Sequence, residues 1–281
     1  MLSSLKEPED DRLFPRTKAR RWIVASHVCK RWREIVLDHA TAWAEHVFSF
    51  SEEYVQSIIL KRAGTAPLTF RYYDREQNED EERRFNLVLQ HIHQIARLDV
   101  LLFQPTRATT LFQALCSNSL PVLEELVIDY APPSMDNPLF FFWTGPSFVA
   151  PQLRKCTLLD CYLQSWNVPS LEDLELRTAR GRKSPGFPSF AQFLKSLRSS
   201  PNIRRLRTSS YIPSADAELH HPVHLPLLEK MDITDSTLDR IPALLSYLRL
   251  PSSCRRIWRT TMAVGGFVGP YPQASHLNAS S

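Results

Sequence analysis

The apolar positions of this chain follow two periods, a helical one near the N-terminus and a strand-like one through the rest. Between Trp22 and His39 the helical period holds. At about 100° per residue, Val24, Ala25, Val28, Cys29, Trp32, Ile35 and Val36 share one broad face. Lys30, Arg31, Arg33 and Glu34 cover the remainder, so an amphipathic helix is predicted. After Trp43, the run Val47-Phe48-Ser49-Phe50 reads as a short strand. Ser51-Glu52-Glu53 then opens a second helix, with Ser as the cap and acids in the first turn. It carries Tyr54, Val55, Ile58 and Ile59 and ends near Gly64. Pro67 to Tyr73 alternates as a first strand. Asp74 to Arg84 is charged and loop-like at its start. Phe85, Val88, Leu89, Ile92 and Ile95 line one face of a further helix.

From there one pattern recurs: Pro-x-Leu-x-x-Leu-x-Leu, with aliphatic substitutions. It begins at Pro121, Pro151, Pro169, Pro201 and Pro226, in steps of 30, 18, 32 and 25 residues. Weaker copies flank the five, at Ile95 to Val100 and Cys254 to Arg259. The last two aliphatics of each copy sit two apart and point to one side of a short strand, and the residue between them points to the other. The leading aliphatic turns inward before the strand. Thr109–Cys116, Phe187–Leu197 and Ser236–Leu248 read as helices between strands. Strand, helix, strand at this spacing predicts crossover connections and a parallel sheet. The fold class is therefore α/β, and a unit that buries its apolar edge only against its neighbours needs several copies to be stable.

The run from Trp22 through Val28-Cys29-Lys30-Arg31-Trp32-Arg33-Glu34-Ile35, with Ala42-Trp43 and then Leu60 to Leu68, resembles the F-box-like proteins of mushroom-forming fungi. In those proteins a leucine-rich-repeat region follows the box. The segment Ile241 to Arg255 is similar to one common in the same group, so the resemblance covers about Trp22 to Arg256. It implies a short helical F-box-like segment followed by an irregular leucine-rich-repeat solenoid with a parallel strand face. It also implies a substrate-recognition adaptor: the box docks on a Skp1-type protein of a cullin-RING ubiquitin ligase, and the repeats hold an unknown protein target. By motif match the partner-binding residues are Val28, Cys29, Trp32, Ile35 and Trp43; the other reading of each is packing within a small helical unit. Lys30 and Arg31 are expected to face solvent or form a rim. The family's box opens with a Leu-Pro segment that Met1 to Pro8 does not match, so the chain is expected to begin after the first box helix. That keeps a second function in view, a repeat-based binding module that no longer joins a ligase.

The expected organisation is a disordered tail at 1–20, a partial F-box-like segment at 21–64, repeats at 65–260 and a disordered tail at 261–281. Without a closing cap, the last strand would be an exposed sheet edge. A hydrophobic share of 43% and a charged share of 23% are ordinary for a globular chain, and 21 prolines suit many short, punctuated elements. The net charge of +4 is weak, and its N-terminal basic cluster lacks the interleaved aromatics of a nucleic-acid surface. Five scattered cysteines with no apolar leader imply reduced thiols and a cytoplasmic or nuclear protein. No run reaches the roughly 20 apolar residues of a membrane helix. The aromatic run Pro138 to Pro146 is expected to cover an edge of the core, an exposed patch being the alternative.

No catalytic, cofactor or metal site is expected. His220-His221-Pro222-Val223-His224 has no Cys partners and no helix-borne pair with a carboxylate. Cys156 and Cys161 lack a second pair, and Cys156 occupies a core position of its repeat. His91 and His93 point to different sides of their helix. Gly265 to Gly269 and Gly181 to Ser184 miss the dinucleotide and phosphate-loop spacings, and there is no Gly-x-Ser-x-Gly. The chain reads as a non-catalytic adaptor.

Overall fold

A computed structural model describes residues 24, 27–50, 52–74, 79–131, 141–178, 187–215, 221–235 and 240–260. The expected tails at 1–20 and 261–281 lie outside them, as do Ser51, Pro138 to Phe140, Gly181 to Ser184, His220 and the start of the Ser236 helix. Among the described residues the chain is mixed α/β, with seven α-helices and one large parallel sheet.

The sheet has eight strands: β1 (Leu68–Tyr73), β2 (Ile95–Leu102), β3 (Glu125–Tyr130), β6 (Lys155–Leu159), β9 (Asp173–Arg177), β10 (Arg205–Ser209), β12 (Lys230–Asp235) and β14 (Arg255–Thr260). They lie side by side in that order, every neighbour parallel. The repeat pattern supplies the cause. Leu123, Leu153, Leu171, Ile203 and Leu228, the leading aliphatics, are buried. So are the strand pairs Leu126/Ile128, Cys156/Leu158, Leu174/Leu176, Leu206/Thr208 and Met231/Ile233. Burying each Leu stabilises by about 1.5–3 kcal/mol relative to exposure, so three per copy outweigh any surface ion pair at about 0–1 kcal/mol. The residue after the leading aliphatic hooks each copy to the one before: Arg154 N donates to Glu124 O (2.9 Å), Glu172 N to Arg154 O (2.9 Å), Arg204 N to Glu172 O (2.8 Å) and Glu229 N to Arg204 O (2.8 Å). Asp160 and Ser210, just past β6 and β10, turn the chain with positive φ.

The connections carry α4 (Glu79–Gln90), α5 (Pro105–Ser117), α6 (Phe190–Arg198) and α7 (Arg240–Tyr247). They also carry three small parallel pairs: β4 (Phe141–Trp143) with β7 (Cys161–Leu163), β5 (Phe148–Val149) with β8 (Trp166–Asn167), and β11 (Val223–His224) with β13 (Leu248–Arg249). Ser189 and Gln192 form a reciprocal capping box at the start of α6. Tyr162 Oη donates to Gln192 O (3.0 Å) and Trp166 Nε1 to Ser196 O (2.9 Å), which docks α6 on the small pairs. The described part of the aromatic run sits at the core edge: Phe141 stacks on Phe112 at 4.9 Å and Phe142 on Tyr162 at 5.7 Å. Near the other end of the sheet, Arg107 on α5 ties three elements together. It donates to Tyr72 Oη at 2.5 Å, pairs with Asp74, and reaches Glu82 of α4 at 3.0 Å.

Several expectations are corrected. Val47–Ser49 is a single 3-10 turn with Val47 and Phe48 buried, since a lone strand there has no partner to pair with. The helix α3 (Glu53–Ala63) has Glu52 at its N-cap. In the charged stretch Asp74 to Arg84, whose loop-like start falls mostly at 75–78 outside the described residues, Glu79 to Glu82 form the first turn of α4, where acids face the positive end of the helix dipole. The last weak copy is irregular: Cys254 is buried, but the register sets Arg256 and Trp258 opposite Met231 and Ile233, and Trp258 is 37% exposed.

Candidate functional site

Two surfaces concentrate the side chains that the fold does not use. The first is built on α1 (Lys30–Asp38) and α2 (Ala40–Ala44). Of the helix predicted from Trp22 to His39, Val24 is helical, but 27–29 interrupt it and α1 begins at Lys30, with Cys29 extended (φ −158°, ψ 170°) and capping it without a side-chain bond. Val28 and Cys29 therefore precede the helix. Part of its apolar face stays open to solvent. Val28 is 67% exposed, Trp32 53% and Ile35 51%, while Val36 is fully buried. Cys29 is exposed too. Lys30 lies within 4.0 Å of Glu34, and it and Arg31 face solvent, as expected.

Trp43 packs within the chain, the other reading of this residue. It is 4% exposed and donates its indole N–H to Val36 O at 2.7 Å. Arg62 of α3 lies over its ring at 4.7 Å. Trp43 is thus a prop: it saturates a carbonyl near the C-terminal end of α1, where carbonyls lack helical partners, and fixes the helix with Trp32 and Ile35 turned outward. Of the five expected contact residues, four are open to solvent and one is core. His46, beside this prop, has its pKa lowered by burial, with Glu45 opposing.

The second surface is the solvent face of the sheet, made by the residues between the buried aliphatics. Along one row the register places Arg97, Glu125, Lys155, Asp173, Arg205 and Lys230 side by side on successive strands. The next row runs Asp99, Val127, Thr157, Glu175, Arg207 and Asp232. Neighbours pair across strands: Lys155 with Glu125 at 2.5 Å, Arg205 with Asp173 at 3.2 Å, Arg207 with Glu175 at 3.3 Å, and Arg259 with Asp232 at 3.5 Å. The more exposed pair Lys155 with Glu125 adds little stability, whereas the Asp173 and Glu175 side chains are only 7% and 11% exposed, so the arginines over them neutralise nearly buried carboxylates. Over β9, β10, β12 and β14 the face dips into a groove of about 400 Å³ lined by Glu175, Arg177, Arg207, Lys230, Asp232 and Arg259, among others. The sequence pattern marks these positions as outward-facing; which of them share a groove depends on the register.

Cys156 and Cys161 are buried, and burial pushes the Cys156 thiol up to about 12 and Cys161 well above its ordinary value. His221 and His224 are exposed. Among the described residues no cluster of three or more His, Cys, Asp or Glu is placed to hold a metal, and no helix is long and apolar enough to cross a membrane. No protein-family model, no curated protein and no solved structure matches the chain.

Proposed function

We propose that this chain is a non-catalytic substrate-recognition adaptor of a Skp1-cullin-F-box type ubiquitin ligase, working in the cytoplasm or nucleus. In this reading α1 and the residues before it dock on a Skp1-type protein. The eight-stranded sheet is an irregular leucine-rich-repeat solenoid whose strand face holds the target. The function is proximity: the adaptor raises the target's local concentration beside a separate transferring enzyme and fixes its orientation. The observation that supports this most is the set of exposed apolar side chains Val28, just before α1, and Trp32 and Ile35 on it, a helix that Trp43 props from within. Large apolar side chains that stay in water next to one another mark interaction sites more often than single ones do, and Trp is enriched among residues that dominate interfaces.

A pull-down of the full chain with a purified Skp1-type protein tests this, beside a Val28→Asp, Trp32→Ala double variant. Binding by the first and not the second supports the reading. No binding by the folded wild-type chain removes it and leaves the second reading, a repeat-based protein-binding module without ligase docking. One observation favours that alternative: Trp43, expected at the docking face, is used inside the chain.

A further inference from the structure

We propose that the groove over β9, β10, β12 and β14 binds an extended acidic segment of a partner protein. The inference rests on the strand face being the target-holding surface, and it adds the chemistry of what is held. Four cations line the groove, Arg177, Arg207, Lys230 and Arg259, against two carboxylates, Glu175 and Asp232. The surplus sits mainly on two side chains. Lys230 makes no ion pair with a described carboxylate, and Arg259 is 62% exposed at 3.5 Å from Asp232. Arg207 divides itself between Glu175 at 3.3 Å and Asp173 at 3.7 Å, which holds its guanidinium over the groove. Strands lie about 4.8 Å apart, so a crossing chain spans the four strands with roughly four to five residues. The register sets Arg177 and Arg259 at the two ends of one row across these strands, with Arg207 and Lys230 on the next two outward rows, so carboxylates about four residues apart on the crossing chain meet the two ends.

The lining selects a peptide over a nucleic acid: the carboxylates Glu175 and Asp232 interrupt the cations, and the lining contains no aromatic side chain on which bases would stack.

Fluorescence anisotropy tests the proposal, with the full chain and three labelled probes: a peptide of alternating Glu and Ser about ten residues long, its Gln and Ser counterpart, and a uridine oligomer of similar length. Binding of the acidic peptide alone is expected, weakened about tenfold or more by Lys230→Ala with Arg259→Ala, the loss of two charge-assisted contacts. Lys230→Gln alone serves if the double variant fails to fold. Equal binding of the neutral peptide, preference for the uridine oligomer, no binding, or an unchanged affinity in the variants would each overturn it. The same variants are taken through the Skp1-type pull-down. Retained docking with lost peptide binding separates the two surfaces; lost docking with peptide binding intact in the wild type removes the ligase reading and leaves this one standing.

Discussion

Arg107→Met is the sharpest test of how the sheet is anchored to the helices before it. The guanidinium side chain is 9% exposed and that of Asp74 only 1%. Burial raises the Tyr72 hydroxyl's pKa well above its ordinary value, so it stays neutral and accepts from Arg107. Removing the cation leaves Asp74 in the interior with the Phe103 N–H, at 3.2 Å, as a remaining donor. Breaking a buried pair in this way costs about 3–5 kcal/mol. At about 2–4 °C per kcal/mol for a chain of this size, the midpoint should fall by roughly 6–20 °C. Part of that cost is the stranded carboxylate and not a lost attraction. Arg107→Met with Asp74→Leu should therefore recover much of the loss, because replacing both members of a buried pair is often near neutral. Urea unfolding followed by circular dichroism gives the two single variants and the double variant of the cycle. A single-variant cost under about 1 kcal/mol, at the level of an exposed pair, would refute the reasoning.

Trp43→Ala should cost about 3–5 kcal/mol in the same assay, as a buried aromatic does, whereas Trp32→Ala should change stability by no more than about 0.5 kcal/mol; comparable losses would mean that Trp32 packs within the chain. In native protein treated with a thiol reagent, Cys29 should react fast, and Cys156 and Cys161 only after unfolding, because the two are buried and burial holds their pKa values far up; mass mapping of the labelled sites reads this directly. His46 and His91 both have pKa values lowered by burial, His91 also by His93. Their unfolded forms take up protons first as pH falls below the ordinary value of 6.5, so stability should drop between pH 7 and 5. The drop should be smaller in a His46→Gln, His91→Asn variant; an equal drop measured by urea midpoint would place the acid sensitivity elsewhere.

The strands were legible because their signal is local and repeated. Leu123, Leu126 and Ile128 recur as Leu171, Leu174 and Leu176, each set at the same offsets from a proline, and each set is buried. Val47 to Phe50 misled because two buried apolar residues within four carry no period, and a strand needs a neighbour that sequence alone does not supply. The Arg107 cluster was invisible for another reason. Tyr72, Asp74 and Glu82 lie 25 to 35 residues before Arg107, and nothing near Arg107 marks them.

The two tryptophans show where periodicity stops informing. Trp32 and Trp43 sit in similar mixtures of apolar and charged residues, and a helical wheel says only which side chains share a face. Whether that face meets the chain itself depends on what α3 brings back across sequence: Arg62 arrives over Trp43, whereas Trp32 stays 53% exposed. The strand face follows the same logic in reverse. Alternation fixes that Glu175, Arg207 and Asp232 point away from the core, yet their joint chemistry depends on steps between copies that vary from 18 to 32 residues and are still brought into one register. Variation in step length is absorbed in the connections, which leaves the outward positions free to carry any charge without disturbing the buried aliphatics. A fold built this way keeps its aliphatic core on one side of each strand and its charges on the other, and substitutions at the exposed groove positions Arg177 and Arg259 should change binding well before they change the melting point, whereas the buried Glu175 bears on both.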